Sequence, residues 1–170
     1  MADTFVEVLI ARKVPGYANP LKAALGGAAA VAFFFGIINW IFFIVFLVAL
    51  MLLIFVIPNK LYIEYEYTYI GDQLNVDKIM NKAKRKKCGE YTFDHIELVA
   101  MKNSADIQRL LQNPAAKTEV VDYTSHFEDR KVYAMVYMDQ AGKKIILFEP
   151  NEKLLNAMKY TSPRKVLLEC

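Results

Sequence analysis

The sequence predicts an α+β membrane protein, with an N-terminal transmembrane helical hairpin followed by a small antiparallel β domain that ends in a helix. Three observations carry that prediction. From Ala23 to Ile57 there is no Lys, Arg, Asp or Glu, a length that no ordinary buried helix reaches. From Leu61 onward the apolar residues recur with a period of two, the signature of strands. Near the end, Leu154, Leu155 and Met158 form a helical stripe between Asn151 and Pro163.

The uncharged run divides more readily into two spans than one. A single helix would be about 50 Å long at ~1.5 Å per residue, against a hydrocarbon core of ~30 Å. The break falls at Gly36-Ile37-Ile38-Asn39-Trp40, where Asn39 is the one strongly polar residue and Trp40 suits an interface. This gives spans over about residues 23–38 and 40–57, within a hairpin over 23–57. Ala24, Ala28, Ala32 and Gly36 recur every four residues and predict a stripe of small side chains that lets the second helix approach. Phe42, Phe43, Phe46 and Leu50 supply the bulky side of that contact, and Pro58-Asn59 is expected to end the second span. Basic residues stand on both sides: Arg12, Lys13 and Lys22 before the run, Lys60 and Lys82–Lys87 after it. The positive-inside rule then places both termini and the soluble domain in the cytoplasm. A cleaved signal peptide does not fit, because the alanine-rich part precedes the bulky part, the reverse of a cleavage signal.

In the soluble part, residues 60–170, Leu61, Ile63, Tyr65, Tyr67 and Tyr69 alternate with Glu64, Glu66 and Thr68. Gly71-Asp72 makes a hairpin turn into a return strand over Gln73–Ile79. A third strand is placed through Lys82–Cys88 and a fourth in Phe93–Met101, with Ile96, Leu98 and Ala100 on one side. A short helix follows, capped by Ser104, buried through Ile107, Leu110 and Leu111, and closed by Pro114. Glu119–Tyr123 reads as a further short strand. Lys131–Met138 and Lys143–Glu149 form a hairpin about Asp139–Gly142, and Asn151 caps the final helix. A bent sheet or partial barrel with that helix at one open edge buries these stripes.

This order resembles the pleckstrin-homology-like (PH-like) domains of bacterial membrane proteins. The stretch Tyr65–Ile79, the basic Lys82–Lys87 and the ending Glu149-Pro150-Asn151-Glu152-Lys153-Leu154-Leu155 are similar to an uncharacterised bacterial two-span family. The resemblance covers roughly the whole chain. It implies a PH-like antiparallel β-roll with a C-terminal helix and a two-span topology, and it implies no activity.

The residues offer no catalytic set. No phosphate loop occurs, since Gly26-Gly27 lies in the apolar run without a following Lys-Ser/Thr. His95 and His126 lack metal-ligand spacing, and Cys88 and Cys170 have no pairing pattern. Cys88 stands beside Lys86 and Lys87, which lower a thiol pKa, but no partner completes a nucleophilic site. Asp122, Ser125 and His126 are too local to form a triad. No cofactor or metal site is expected, and a net charge of +3 gives no case for nucleic acid.

What departs from background is the run Lys82, Lys84, Arg85, Lys86 and Lys87. It suits a solvated edge strand that resists sheet-to-sheet pairing, and equally an anionic cytoplasmic leaflet. Residues 1–22 form a cytoplasmic or interfacial segment. Within it, Phe5, Val8 and Leu9 have helical spacing, which fits an interfacial helix or packing against the soluble domain. The functional expectation is a membrane-anchored, non-enzymatic interaction or scaffold module with an unidentified membrane or cytoplasmic protein partner. Anionic-lipid recognition through the basic run is one alternative. An accessory subunit of a transporter or membrane complex is another, with Asn39 as its lone polar hint.

Overall fold

The computed structural model describes residues 5–112, 118–140 and 142–168. Pro114 and Cys170 lie outside the described residues, as does Ala141 in the expected turn. The chain divides into two compact units. The first holds residues up to Arg12, residues 64–78 and the chain from Lys86 onward. The second holds residues 13–63 and 79–85.

The second unit is a pair of helices. Helix α1 spans Ala18–Gly36, and the next, α2 over Trp40–Met51, continues through a π-helical turn, Leu52–Val56, into α3, Ile57–Leu61. Each of the two rods is long and apolar enough to cross a membrane. Their side chains are largely uncovered: no residue of α2 is buried, and Trp40 is 72% exposed. The break between them is where the sequence puts it, because Asn39 Oδ1 accepts from the Ile41 amide at 3.0 Å and caps α2.

Two details of the hairpin differ from expectation. Pro58 does not end the second helix. Proline cannot donate to the carbonyl one turn back; here a π turn lies ahead of it, and the helix runs on to Leu61. The side-chain amide of Asn59 meanwhile donates to the Phe55 carbonyl at 2.6 Å. The inward face of α1 is also rotated from the predicted stripe. Ala29 and Ala32 are buried, whereas Ala24 and Ala28 are exposed. A four-residue repeat drifts around a helix of 3.6 residues per turn, so Ala32 and Gly36 face α2 and the first two alanines do not. At Gly36 a Cβ would stand 2.9 Å from the Phe43 amide nitrogen.

The first unit is two four-stranded sheets. One has the order β1 (Phe5–Ala11), β2 (Ile63–Ile70), β3 (Gln73–Met80), β4 (Lys84–Thr92). Gly71 at φ +64° makes the β2–β3 turn, as its position predicts. The other has the order β5 (Ile96–Met101), β7 (Tyr133–Asp139), β8 (Gly142–Phe148), β6 (Glu119–Asp122). Strands β7 and β8 form the expected hairpin, but β6 pairs with β8 in parallel. The sheet is therefore mixed rather than wholly antiparallel.

Strand β1 decides between the two expectations for the N-terminal segment, in favour of packing against the domain. Residues expected as a helix or a packed segment pair antiparallel with β2, from Phe5↔Ile70 to Ala11↔Glu64. The alternation of β-branched Val6, Val8 and Ile10 serves a strand, and these three face the side of the sheet that also carries Tyr69, Tyr67 and Tyr65. The sheet domain thus begins before the helical hairpin, which is inserted between its first two strands instead of preceding residues 60–170.

The core follows from this arrangement. Tyr67, Tyr69, Leu74 and Val76 of the first sheet are fully buried, with Tyr67 edge-on to Phe148 and Tyr69 edge-on to Phe93. The other face of the second sheet buries Ala134, Val136, Ile145 and Leu147 beneath Ile107 of α4, Ala105–Leu111. Ser104 occupies the N-cap of α4 without making a side-chain cap bond. The last helix, α5 over Glu152–Thr161, buries Leu154, Leu155, Ala157 and Met158. Asn151 Oδ1 caps it by accepting from the Leu154 amide at 2.8 Å.

Candidate functional site

The basic run is divided by the fold. Asn81 and Lys82 adopt left-handed backbone at the β3–β4 tip, and the Asn81 amide donates to the Tyr62 carbonyl at 2.7 Å. That bond ties the tip to the end of the second long helix, so Lys82, Lys84 and Arg85 belong to the helical unit. Lys86 and Lys87 belong to the sheet domain, where Lys87 pairs with Glu90 and holds that carboxylate below its usual range.

Three more cations share that unit. Lys22 donates to the Tyr62 hydroxyl at 2.7 Å and lies 4.7 Å from the same ring, while Lys13 and Lys60 belong to the same unit. Residues 13–63 and 79–85 contain Lys13, Lys22, Lys60, Lys82, Lys84 and Arg85 and no Asp or Glu. All of the chain's acids, 18 in number, therefore lie in the sheet unit, which is net acidic although the chain is +3. The sequence reading missed this set because its members are far apart along the chain. The signal was the absence of acids on both segments.

The residues weighed for chemistry go elsewhere. Ser125 is fully buried, and its amide and hydroxyl both donate to Glu149 Oε1, at 2.8 and 2.9 Å. His126 turns away at φ +62° and meets the Arg12 guanidinium at 2.9 Å through Nε2. Asp122 accepts from the amide and hydroxyl of Thr124. These contacts build a loop, not a nucleophile. His95 lies edge-on to Tyr137. Burial pushes the Cys88 thiol up, against the pull of Lys78 and Lys86, which makes it a poor nucleophile at neutral pH.

A buried tyrosine network was not foreseen. The Tyr67 hydroxyl donates to the Tyr123 carbonyl at 2.7 Å, and the Tyr91 and Tyr123 hydroxyls meet at 3.0 Å. Tyr123 also donates to the Cys88 carbonyl at 3.2 Å. Burial pushes the Tyr67, Tyr91 and Tyr123 phenols above their ordinary range. The network bonds strands to loops through neutral groups and presents no ionised base.

Two four-stranded sheets and a C-terminal helix agree with the profile described as Bacterial PH-like domain (DUF6106), which matches residues 2–168. The chain belongs to this bacterial PH-like family. The match takes in the helical hairpin, so in this chain the insertion between β1 and β2 is part of the PH-like unit as the family defines it. No curated protein and no solved structure matches the chain.

Proposed function

We propose that this PH-like protein is a membrane-anchored, non-enzymatic interaction module whose sheet domain lies on the cytoplasmic side of the membrane. The observation that carries the reading is the β1–β2 ladder. If residues between Ala11 and Glu64 enter lipid, the ladder requires the chain to leave by the face it entered, because its two ends are paired strands. Two crossings satisfy that requirement and one does not. The cation-only composition of the hairpin unit then supports the cytoplasmic face, since Lys and Arg near span ends stay inside.

The test is topology. Tags at both ends of the full chain are assayed for protection in intact cells and in inverted vesicles. Protection in cells and exposure in inverted vesicles, for both tags, is the expected result. Tags on opposite sides would refute the reading.

A second reading, contact with anionic lipid head groups, is favoured by the bond that fixes the β3–β4 tip to Tyr62. Each basic residue near an anionic surface contributes about 1 kcal/mol. The full chain in nanodiscs of mixed phosphatidylcholine and phosphatidylglycerol should retain phosphatidylglycerol preferentially. Replacing Lys82, Lys84 and Arg85 with Gln should abolish that preference, whereas replacing Lys86 and Lys87 should change it little. Equal effects from the two sets would reject the placement of the site at the tip.

A further inference from the structure

We propose that the cleft beside β1 binds an extended segment of a partner polypeptide, through its backbone. This deepens the interaction-module reading and rests on it. Glu149 is 4% exposed. Its Oε1 takes both Ser125 donors, while its Oε2 is buried and accepts no hydrogen bond. The Arg130 guanidinium stands 3.8 Å from Oε2, close enough to balance the charge and too far to donate. What Oε2 lacks is a hydrogen-bond donor rather than a counter-charge.

The surroundings define the donor. An open cleft of about 310 Å³ is lined by Val8, Leu9, Ile10, Arg130, Glu149 and Asn151, among others. A second cleft, of about 340 Å³, shares Lys131 and Pro150 with it and runs on past Glu152 and Leu155 of α5. The two clefts adjoin at Lys131 and Pro150, and both carry cations and carboxylates in their linings, which favours an uncharged ligand. One side of the first cleft is β1, the outermost strand of its sheet, with α5 beside it. An edge strand offers alternating amide and carbonyl groups to another chain. A peptide backbone carries the matching alternation, and one of its N–H groups supplies the donor that Oε2 is missing. Leu9, at 55% exposed, gives an apolar contact beside it.

The probe is a library of short random peptides, selected against the full chain in phosphatidylcholine nanodiscs and counter-selected on empty nanodiscs. Enriched peptides should protect from hydrogen exchange the β1 amides that point away from β2, at every second residue, and leave those already paired with β2 unchanged. Glu149→Gln, which can turn an amide donor toward the cleft, should weaken them roughly tenfold or more. N-methylation of the peptide should abolish binding at alternate residues only, a pattern that no change in the protein's own folding can mimic. No enriched peptide, N-methylation without alternation, or a Glu149→Gln chain that binds as before would overturn the proposal. Peptides that protect another surface would overturn the cleft beside β1 while leaving the interaction-module reading standing. Failure of the topology test would remove that reading without touching the peptide result.

Discussion

Ala11 pairs with Glu64 across the β1–β2 ladder, although the whole helical hairpin lies between them in the chain. The strand that precedes the hairpin is therefore bound into the same sheet as the strand that follows it. Its inward residues cover the tyrosines of β2, and Ile10 is 2% exposed beside Tyr65.

Ile10→Ala tests that placement. Truncating a buried Ile to Ala costs about 2–5 kcal/mol. The loss should appear in urea denaturation of the detergent-solubilised full chain, followed by near-ultraviolet circular dichroism of the domain tyrosines. A segment lying in the membrane interface would leave that transition unmoved, so an unchanged midpoint would count against the ladder.

The tyrosine network gives a prediction with a definite sign in pH. Tyr67, Tyr91 and Tyr123 titrate above their ordinary value in the folded chain, chiefly through burial. The unfolded chain loses these protons first, at about pH 10, so stability is flat below that value and falls as pH rises toward the folded pKa values. Denaturation midpoints measured between about pH 9 and pH 11 should decline, and Tyr91→Phe should make the decline shallower. At neutral pH, Tyr67→Phe should cost about 1–3 kcal/mol, because it leaves the buried Tyr123 carbonyl without its donor. A decline that is the same with and without Tyr91 would remove that residue from the account.

Local pattern was legible in the sequence, and pairing between distant segments was not. The β2–β3 and β7–β8 hairpins could be read because alternation brackets a turn with Gly71 or Gly142 in it. The Asn151 cap could be read because it is a short polar side chain at the start of an apolar periodic run, and Asn39 could be read as the break between the spans, though not as the cap of α2. For the N-terminal segment, packing against the domain was one of two readings and is the one that holds; its strand form was not legible because Phe5, Val8 and Leu9 also fit a helical period, and its partner is separated from it by the hairpin. Strand β6 was read at its place, Glu119–Tyr123, but its parallel direction was not, because nothing in four residues encodes the direction of their neighbour. At the candidate site, the Lys82–Lys87 run was visible as charge, but its division into tip and strand depends on the Asn81–Tyr62 bond. Glu149 gave no signal, since a buried carboxylate and a surface one look alike until Ser125 is seen against it.

The helical hairpin makes its own prediction through two glycines of α1. A Cβ on Gly36 would meet backbone, the Phe43 nitrogen at 2.9 Å, which cannot move aside without opening the turn around Asn39. A Cβ on Gly27 would meet nothing within 4 Å. Gly36→Val should therefore cost about 1–3 kcal/mol of overpacking, while Gly27→Val, at the same helical propensity, should be nearly neutral to the packing. The readout is a disulfide between cysteines introduced at Gly26 and Leu53, since a Cβ at Gly26 would lie 3.9 Å from the Leu53 side chain. In native membranes that crosslink should form readily in the parent and in Gly27→Val, and drop several-fold in Gly36→Val. Equal crosslinking in all three would mean that the close approach at the turn does not hold the two helices together. Equal loss in both variants would point to valine's effect on the helix itself, and the contact between Gly36 and Phe43 would then carry no special share.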